Sequence, residues 1–245
     1  AATWADGNSG FSIDADGAGI AAAVSATEQA WTDAGRTDAP RNTRPKGDVR
    51  PPEPPPRLSI DEAELAEALE AGLSVYQGRA LVNSITAEDD RMAAILPLVK
   101  KYDAAIIALP NDHDEIPMEA DKRLDLTAKI IRVATTEYGI AQADIVIDPL
   151  AMPIGADSLH AVRTMDAISM IRDQLGVNMT LGASNVSFGM PDRHTLNATF
   201  LPMAMKAGLT SAIMDARTSQ VVSGVKAADL MLGHDEWGSS WIQLH

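Results

Sequence analysis

The stretch "AAIIALPND", residues 104–112, is followed by "MEADKRLDLTAKIIRVATTEYG", residues 118–139, and then by "ADIVIDP", residues 143–149. An apolar run that ends in polar residues reads as a strand buried on both faces, and the middle segment carries apolar residues at helical spacing. Strand, helix, strand with no room for a hairpin means a parallel pair joined by a right-handed crossover.

The same beat extends in both directions. The apolar runs "RLSID" (57–61), "ALVNS" (80–84), "VNMTLGASN" (177–185) and "TSAIMDA" (210–216) complete a set of six. Helical patterns follow at 62–76, 87–102, 158–176, 194–208 and 219–233. Such alternation suits an open doubly wound sheet or a closed (β/α) barrel. Polar residues at the strand ends separate the two. Asp61, Asn83, Asn111, Asp148 and Asn185 each close an apolar run, and in a barrel those positions surround one mouth. A doubly wound nucleotide-binding sheet carries a Gly-rich phosphate loop at one crevice, and neither G-x-G-x-x-G after a strand nor G-x-x-x-x-G-K-[ST] occurs here. The expected fold is therefore a (β/α)8 TIM barrel over residues 58–245.

Residues 1–57 differ in character. They are rich in Ala, Gly, Asp, Thr and Pro, and seven of the chain's 14 prolines lie between Pro40 and Pro56. That density opposes helix interiors and central strands, so this segment is read as a divergent, partly irregular N-terminal part of an otherwise regular barrel.

Composition narrows function. At 245 residues with 46% hydrophobic and 4% aromatic content, the chain can bury one sizeable aliphatic core. A net charge of −14 opposes binding to nucleic acid or an anionic membrane. The absence of cysteine excludes disulfides, thiolate nucleophiles and Cys-ligated metals. With no apolar run of membrane-spanning length and no signal-like start, a cytoplasmic protein is expected. His113, His160, His194, His234 and His245 show no metal-ligand spacing, so no metal is expected, and they read as surface or helix-cap residues. No G-x-S-x-G elbow is present.

The strand-end set holds two carboxylates and three amides. An ionised Asp accepts two hydrogen bonds side by side, and Asn both donates and accepts, so together they suit the edge of a flat heterocycle such as an aminopyrimidinone. Each residue taken alone could instead cap a helix or turn a loop; five at successive strand ends favour a shared site.

The motifs "LSID", "LVNSIT", "IVIDPLAMPIG", "GASNVSFGMPDR" and "NATFLPMAMKAGLTSAIMD" resemble the pterin-binding barrel family, specifically methyltetrahydrofolate:corrinoid methyltransferases and the folate domain of cobalamin-dependent methionine synthase. The resemblance runs from Leu58 to about Trp241. It implies methyl transfer between N5 of tetrahydrofolate or 5-methyltetrahydrofolate and the cobalt of a corrinoid (cobalamin) carried by a partner protein. It implies that Asp61, Asn83 and Asp148 bind the pyrimidine edge and that Asn185 reaches N5. In this reading Asn185 and Asp148 are the catalytic pair, Asn185 stabilising charge at N5 and Asp148 orienting the water that supplies the proton. Asn111, Gly182, Ser184, Arg193, Ile213 and Asp215 line the binding site, Arg193 orienting its loop, meeting the corrinoid partner, or simply facing solvent at a helix start. A corrinoid protein is the expected partner, and a homodimer is compatible with the family. The family's first two strand motifs, resembling "GERIN" and "DVN", have no counterpart in residues 1–57. Dihydropteroate synthase shares the fold, but its basic "SRKS"-like loop is "SNVS" here, and its late Arg–His pair is missing. A non-catalytic folate-binding subunit is the alternative outside enzyme chemistry.

Overall fold

The structure is a computed structural model that describes residues 62–113 and 116–243. The expected strand at 57–61 with Asp61, the N-terminal segment 1–57 and His245 lie outside the described residues.

Six of the expected helices form where the periodicity places them. They are α1 (Glu62–Val75), α2 (Asp89–Lys101), α3 (Ala120–Thr136), α4 (His160–Leu175), α5 (Arg193–Ala207) and α6 (Ser219–Met231), followed by a short α7 (Ser239–Gln243). Between them run β1 (Leu81–Ile85), β2 (Ala105–Ala108), β3 (Ile145–Ile147) and β4 (Asn178–Met179). All four strands are parallel, and each pairs with its predecessor, in the order β1-β2-β3-β4. A doubly wound sheet reverses direction at a switch point; consecutive order without reversal is how a barrel wall is built.

Strand lengths depart from expectation at the far side. The run at 210–216 forms a parallel bridge between Gly182 and Ile213 rather than a regular strand. The reason is local: the Thr210 hydroxyl accepts the Met179 N–H at 2.8 Å and also donates to the Met179 carbonyl at 2.8 Å. The ladder resumes as Ser211 N–H to Met179 O (2.9 Å) and Ile213 N–H to Leu181 O (2.8 Å). A fifth parallel segment therefore continues the wall.

The core lies between this wall and the helices. All of β2 and β3 is buried, as a strand covered on both faces requires. The helices bury matching faces: Met92, Ile95, Leu96 and Val99 in α2, Ala167, Ile168 and Ile171 in α4, and Phe200, Leu201, Ala204 and Met205 in α5. Burying each large aliphatic side chain stabilises the fold by roughly 1.5–3 kcal/mol before entropy is charged against it. Gly176 ends α4 in the left-handed conformation (φ +59°), its N–H reaching back to Ile171 O and Arg172 O, the usual stop for a helix. Among the described residues, no helix is long and apolar enough to cross a membrane.

Candidate pterin-binding site

Of the expected strand-end residues, Asn111, Asp148 and Asn185 lie beyond β2, β3 and β4, Asn83 lies inside β1, and Asp61 is outside the described residues. Asn83 stands within β1, opposite Ile107, and is exposed; the ladder skips a residue between Asn83 and Ile85. Asn111 follows β2. Its carbonyl accepts the Ala87 N–H (2.8 Å), which ties the rims of β1 and β2 together, while its side-chain Oδ1 is buried with no partner.

Asp148 follows β3 directly, and its N–H donates to Ala108 O at 2.9 Å. The carboxylate is half-buried. Its Oδ1 accepts the Leu150 N–H at 2.9 Å, made possible by the left-handed turn at Leu150 (φ +64°). Burial pushes its pKa from 3.8 up to about 6, against the lowering effects of the Leu150 and Gly182 backbone N–H groups and of the nearby Arg123. Such a carboxylate is poised between acid and base near neutral pH.

"GASNVSFGMPDR" leaves the wall as a 3-10 turn, Ala183–Ser187, that exposes Ser184 and Asn185. The Asn185 N–H closes on Gly182 O at 3.0 Å. A Cβ added to Gly182 would lie 3.1 Å from Asn185 Nδ2, so the glycine leaves room for that amide. Arg193, the first residue of α5, donates to Ser184 O (2.8 Å) and Ser187 Oγ (3.1 Å) and stacks 5.9 Å from the Phe188 ring centroid. The residue is exposed at the start of its helix, and its side-chain hydrogen bonds run to the loop. Ile213 pairs with Gly182 and is half exposed. Asp215 sits beyond it, gripped by Arg217 through Nε (2.9 Å), Nη2 (3.1 Å) and backbone N–H (3.0 Å). Arg217 holds that carboxyl below its ordinary value.

Two buried polar residues stand at helix starts beside the strand ends. Arg123 is fully buried and donates to Pro117 O (2.8 Å), Pro149 O (2.8 Å) and Leu150 O (2.9 Å). It thus clamps the backbone that follows Asp148. Of the surface or helix-cap positions expected for it, His160 takes the helix start, the first residue of α4, and is buried there with its Nδ1 at 2.9 Å from Pro153 O. His113 lies beside Glu88 and Asp90 at an exposed corner, where Lys129 neutralises the adjacent Asp89 at 2.9 Å.

Comparison with known proteins defines the class. The family model described as "Pterin binding enzyme" matches residues 56–215, so the chain belongs to the pterin-binding enzyme family, whose fold is the TIM barrel. The parallel, consecutively ordered wall is part of that barrel. Among individual relatives, the chain is 30% identical over 181 residues to "Methylcorrinoid:tetrahydrofolate methyltransferase" of Eubacterium limosum, covering 73% of this chain and 66% of that protein. It is 33% identical over 171 residues to "Methionine synthase" of Mycobacterium tuberculosis, and 32% over 171 residues to that of Mycobacterium leprae. Those alignments cover 65% of this chain and 14% of each synthase. The aligned stretch is thus just under two thirds of the first relative and a small part of the other two.

Proposed function

We propose that this chain transfers a methyl group between N5 of (methyl)tetrahydrofolate and the cobalt of a corrinoid held by a partner protein. The observation that carries the reading is the pair of acceptors at adjacent strand ends. Asp148 is a half-buried carboxylate whose ring-binding oxygens are pre-oriented by backbone N–H groups, and Asn111 Oδ1 is a buried acceptor with no partner. A buried acceptor left unpaired costs about 1–3 kcal/mol, and the N–H-rich pyrimidine edge of a pterin supplies the donors both groups need. Asn83 extends the polar edge on the β1 side.

With the pyrimidine edge on Asp148, the opposite end of the ring faces the Gly182–Ser187 turn. There Asn185 donates to or accepts from N5. A tertiary amine leaves poorly unless its developing charge is stabilised, and a fixed amide dipole does this without reorganising in the transition state. The amide cannot act as a proton donor of useful acidity, so the proton comes from water at the open rim, while Asp148, engaged with the pyrimidine edge, holds the ring in place. The corrinoid supplies the methyl donor or acceptor when its protein docks. This chain contributes an open rim to that encounter: Asn83, Ser184 and Asn185 are exposed, and Phe188 and Ile213 are 67% and 50% exposed, which fits a large flat group approaching from outside.

The reading is tested by calorimetric titration with tetrahydrofolate and 5-methyltetrahydrofolate, comparing the chain with Asn83→Ala and Asn185→Ala, followed by methyl transfer to and from free cobalamin. Binding weakened by Asn83→Ala, together with transfer abolished by Asn185→Ala, is the expected result. Tight folate binding with no transfer in either direction would instead identify a non-catalytic folate-binding subunit. No binding of either folate would remove the reading altogether.

A further inference from the structure

Pro149 and Leu150 turn the chain away from β3, and their conformation decides which backbone group faces the Asp148 carboxylate. Leu150 is buried and sits in the left-handed region (φ +64°), which a bulky side chain adopts only where its surroundings impose it. Two helix heads impose it here. From the first turn of α3, Arg123 Nη1 donates to Pro149 O (2.8 Å) and Leu150 O (2.9 Å). From α4, the Thr164 hydroxyl lies 3.3 Å from Leu150 O. Arg123 Nε is anchored on Pro117 O at 2.8 Å, so the guanidinium is fixed while it holds both carbonyls. With those carbonyls drawn to one side, the Leu150 N–H faces Asp148 Oδ1 at 2.9 Å. Stability alone is a poor account of this arginine. Its side chain is fully buried, its Nε and Nη1 meet neutral carbonyls, and Nη2 is buried with no partner among the described residues. A buried cation without a carboxylate in contact weakens a fold as readily as it supports one.

Resting on the function proposed above, we propose that Arg123 is a positioning residue for ring binding: through the Pro149–Leu150 turn it fixes the carboxylate that receives the pyrimidine edge, without touching the ring itself. Its charge works in the same direction. Burial raises the Asp148 carboxyl, the Leu150 and Gly182 N–H groups lower it, and Arg123 lowers it further. Loss of the cation therefore leaves less of the ionised form, which is the form that accepts two ring N–H groups side by side. The other charged groups nearby act on Arg123 rather than on the carboxyl. They are Glu119, just before α3, and Arg163 of α4, itself held by Asp157 at 2.8 Å.

The test compares the full unsubstituted chain with Arg123→Lys, which keeps a cation but not the fork, and Arg123→Met, which keeps neither; circular dichroism melts confirm folding. Two quantities are read. One is the titration midpoint of the Asp148 carboxyl in the ligand-free protein, by carbon NMR, the signal being assigned through its loss in Asp148→Asn. The other is the affinity for tetrahydrofolate, by calorimetry from pH 5 to 8. Arg123→Lys is expected to keep the midpoint of the unsubstituted chain and to bind tetrahydrofolate about tenfold more weakly at pH 7.5, the effect of one misdirected hydrogen bond at a charged group. Arg123→Met is expected to raise the midpoint by about one pH unit, and the pH below which binding weakens should rise with it. Lower melting temperatures with midpoint and affinity unchanged in both variants would overturn the proposal and leave Arg123 a structural residue only. If Arg123→Met does not fold, Arg123→Lys decides: unchanged affinity refutes the proposal, and a tenfold loss at a constant midpoint supports it. No binding by the unsubstituted chain would refute the functional reading and the ring-binding role together, whereas equal binding by all three chains would refute the role of Arg123 alone.

Discussion

Replacing Asp148 with Asn should make the ligand-free protein more stable at neutral pH while destroying its folate site. The folded chain keeps a proton on this carboxyl up to about pH 6, whereas the unfolded chain releases it near the ordinary value of 3.8. Between those values the folded state binds more protons, so stability falls as pH rises through the window and stays reduced above it. A gap of about 2.2 pH units at about 1.36 kcal/mol each amounts to roughly 3 kcal/mol of destabilisation at pH 7.5. Asparagine never ionises and so escapes it. The substitution has its own penalty, because one oxygen facing a backbone N–H becomes an NH2 group, costing about 1–2 kcal/mol. The difference between variant and parent should therefore change sign. At pH 4 the variant is less stable by about 1–2 kcal/mol, and at pH 7.5 it is more stable by a similar amount. Urea unfolding at half-unit steps from pH 4 to 8 measures this directly. A stability difference that does not vary with pH would refute the argument, since it would mean that the folded environment leaves this carboxyl where the unfolded chain has it.

Folate affinity should follow the opposite course with pH, because the ionised form of Asp148 accepts the ring's paired N–H groups: binding weakens as pH falls below about 6, approaching tenfold per unit, and calorimetry at pH 5 to 8 reads it. Arg123→Met strips partners from the carbonyls of Pro117, Pro149 and Leu150 and should destabilise the chain by about 2–4 kcal/mol, seen as a lower urea midpoint with unchanged slope. Gly224→Ala should cost about 1–3 kcal/mol by the same measurement, because a Cβ there would meet the Ala198 carbonyl oxygen at 2.9 Å.

Much of the architecture was legible because buried parallel strands have no alternative pattern: "AIIA" and "IVI" had to be covered on both faces, and they are. Asn111 and Asp148 were legible as positions just past β2 and β3 for the same reason, since an aliphatic run stops there, whereas Asn83 falls inside β1. The segment at 210–216 was over-read as a regular strand. Its β-branched and apolar content points to extended structure, but nothing in composition shows that the Thr210 hydroxyl takes over a ladder position. His160, expected at the surface or at a helix cap, is the first residue of α4 but is buried, which an isolated polar side chain near a helix start does not announce.

The inner stripes of the helices held a signal that a hydrophobic pattern alone discards. In α3 the buried positions are Arg123, Thr127, Ile130, Ile131, Val133 and Ala134; in α4 they begin His160, Thr164, Ala167, Ile168; in α5 they begin Asn197, Phe200, Leu201, Ala204. Each stripe is apolar along most of its length and polar at its N-terminal end, in phase with the rest. The geometry of the fold explains why. Crossover helices run antiparallel to the strands, so their N-termini stand beside the strand C-terminal ends, where loops carry carbonyls that no sheet satisfies. Arg123 meets three of these, and His160 meets Pro153 O. Asn197 occupies the equivalent place in α5 and meets none with its Oδ1. Two of the three polar helix heads therefore support the rim from behind, and the third leaves its acceptor open. The satisfaction is incomplete at both ends of the series, since Arg123 Nη2 and Asn197 Oδ1 are each buried without a partner among the described residues.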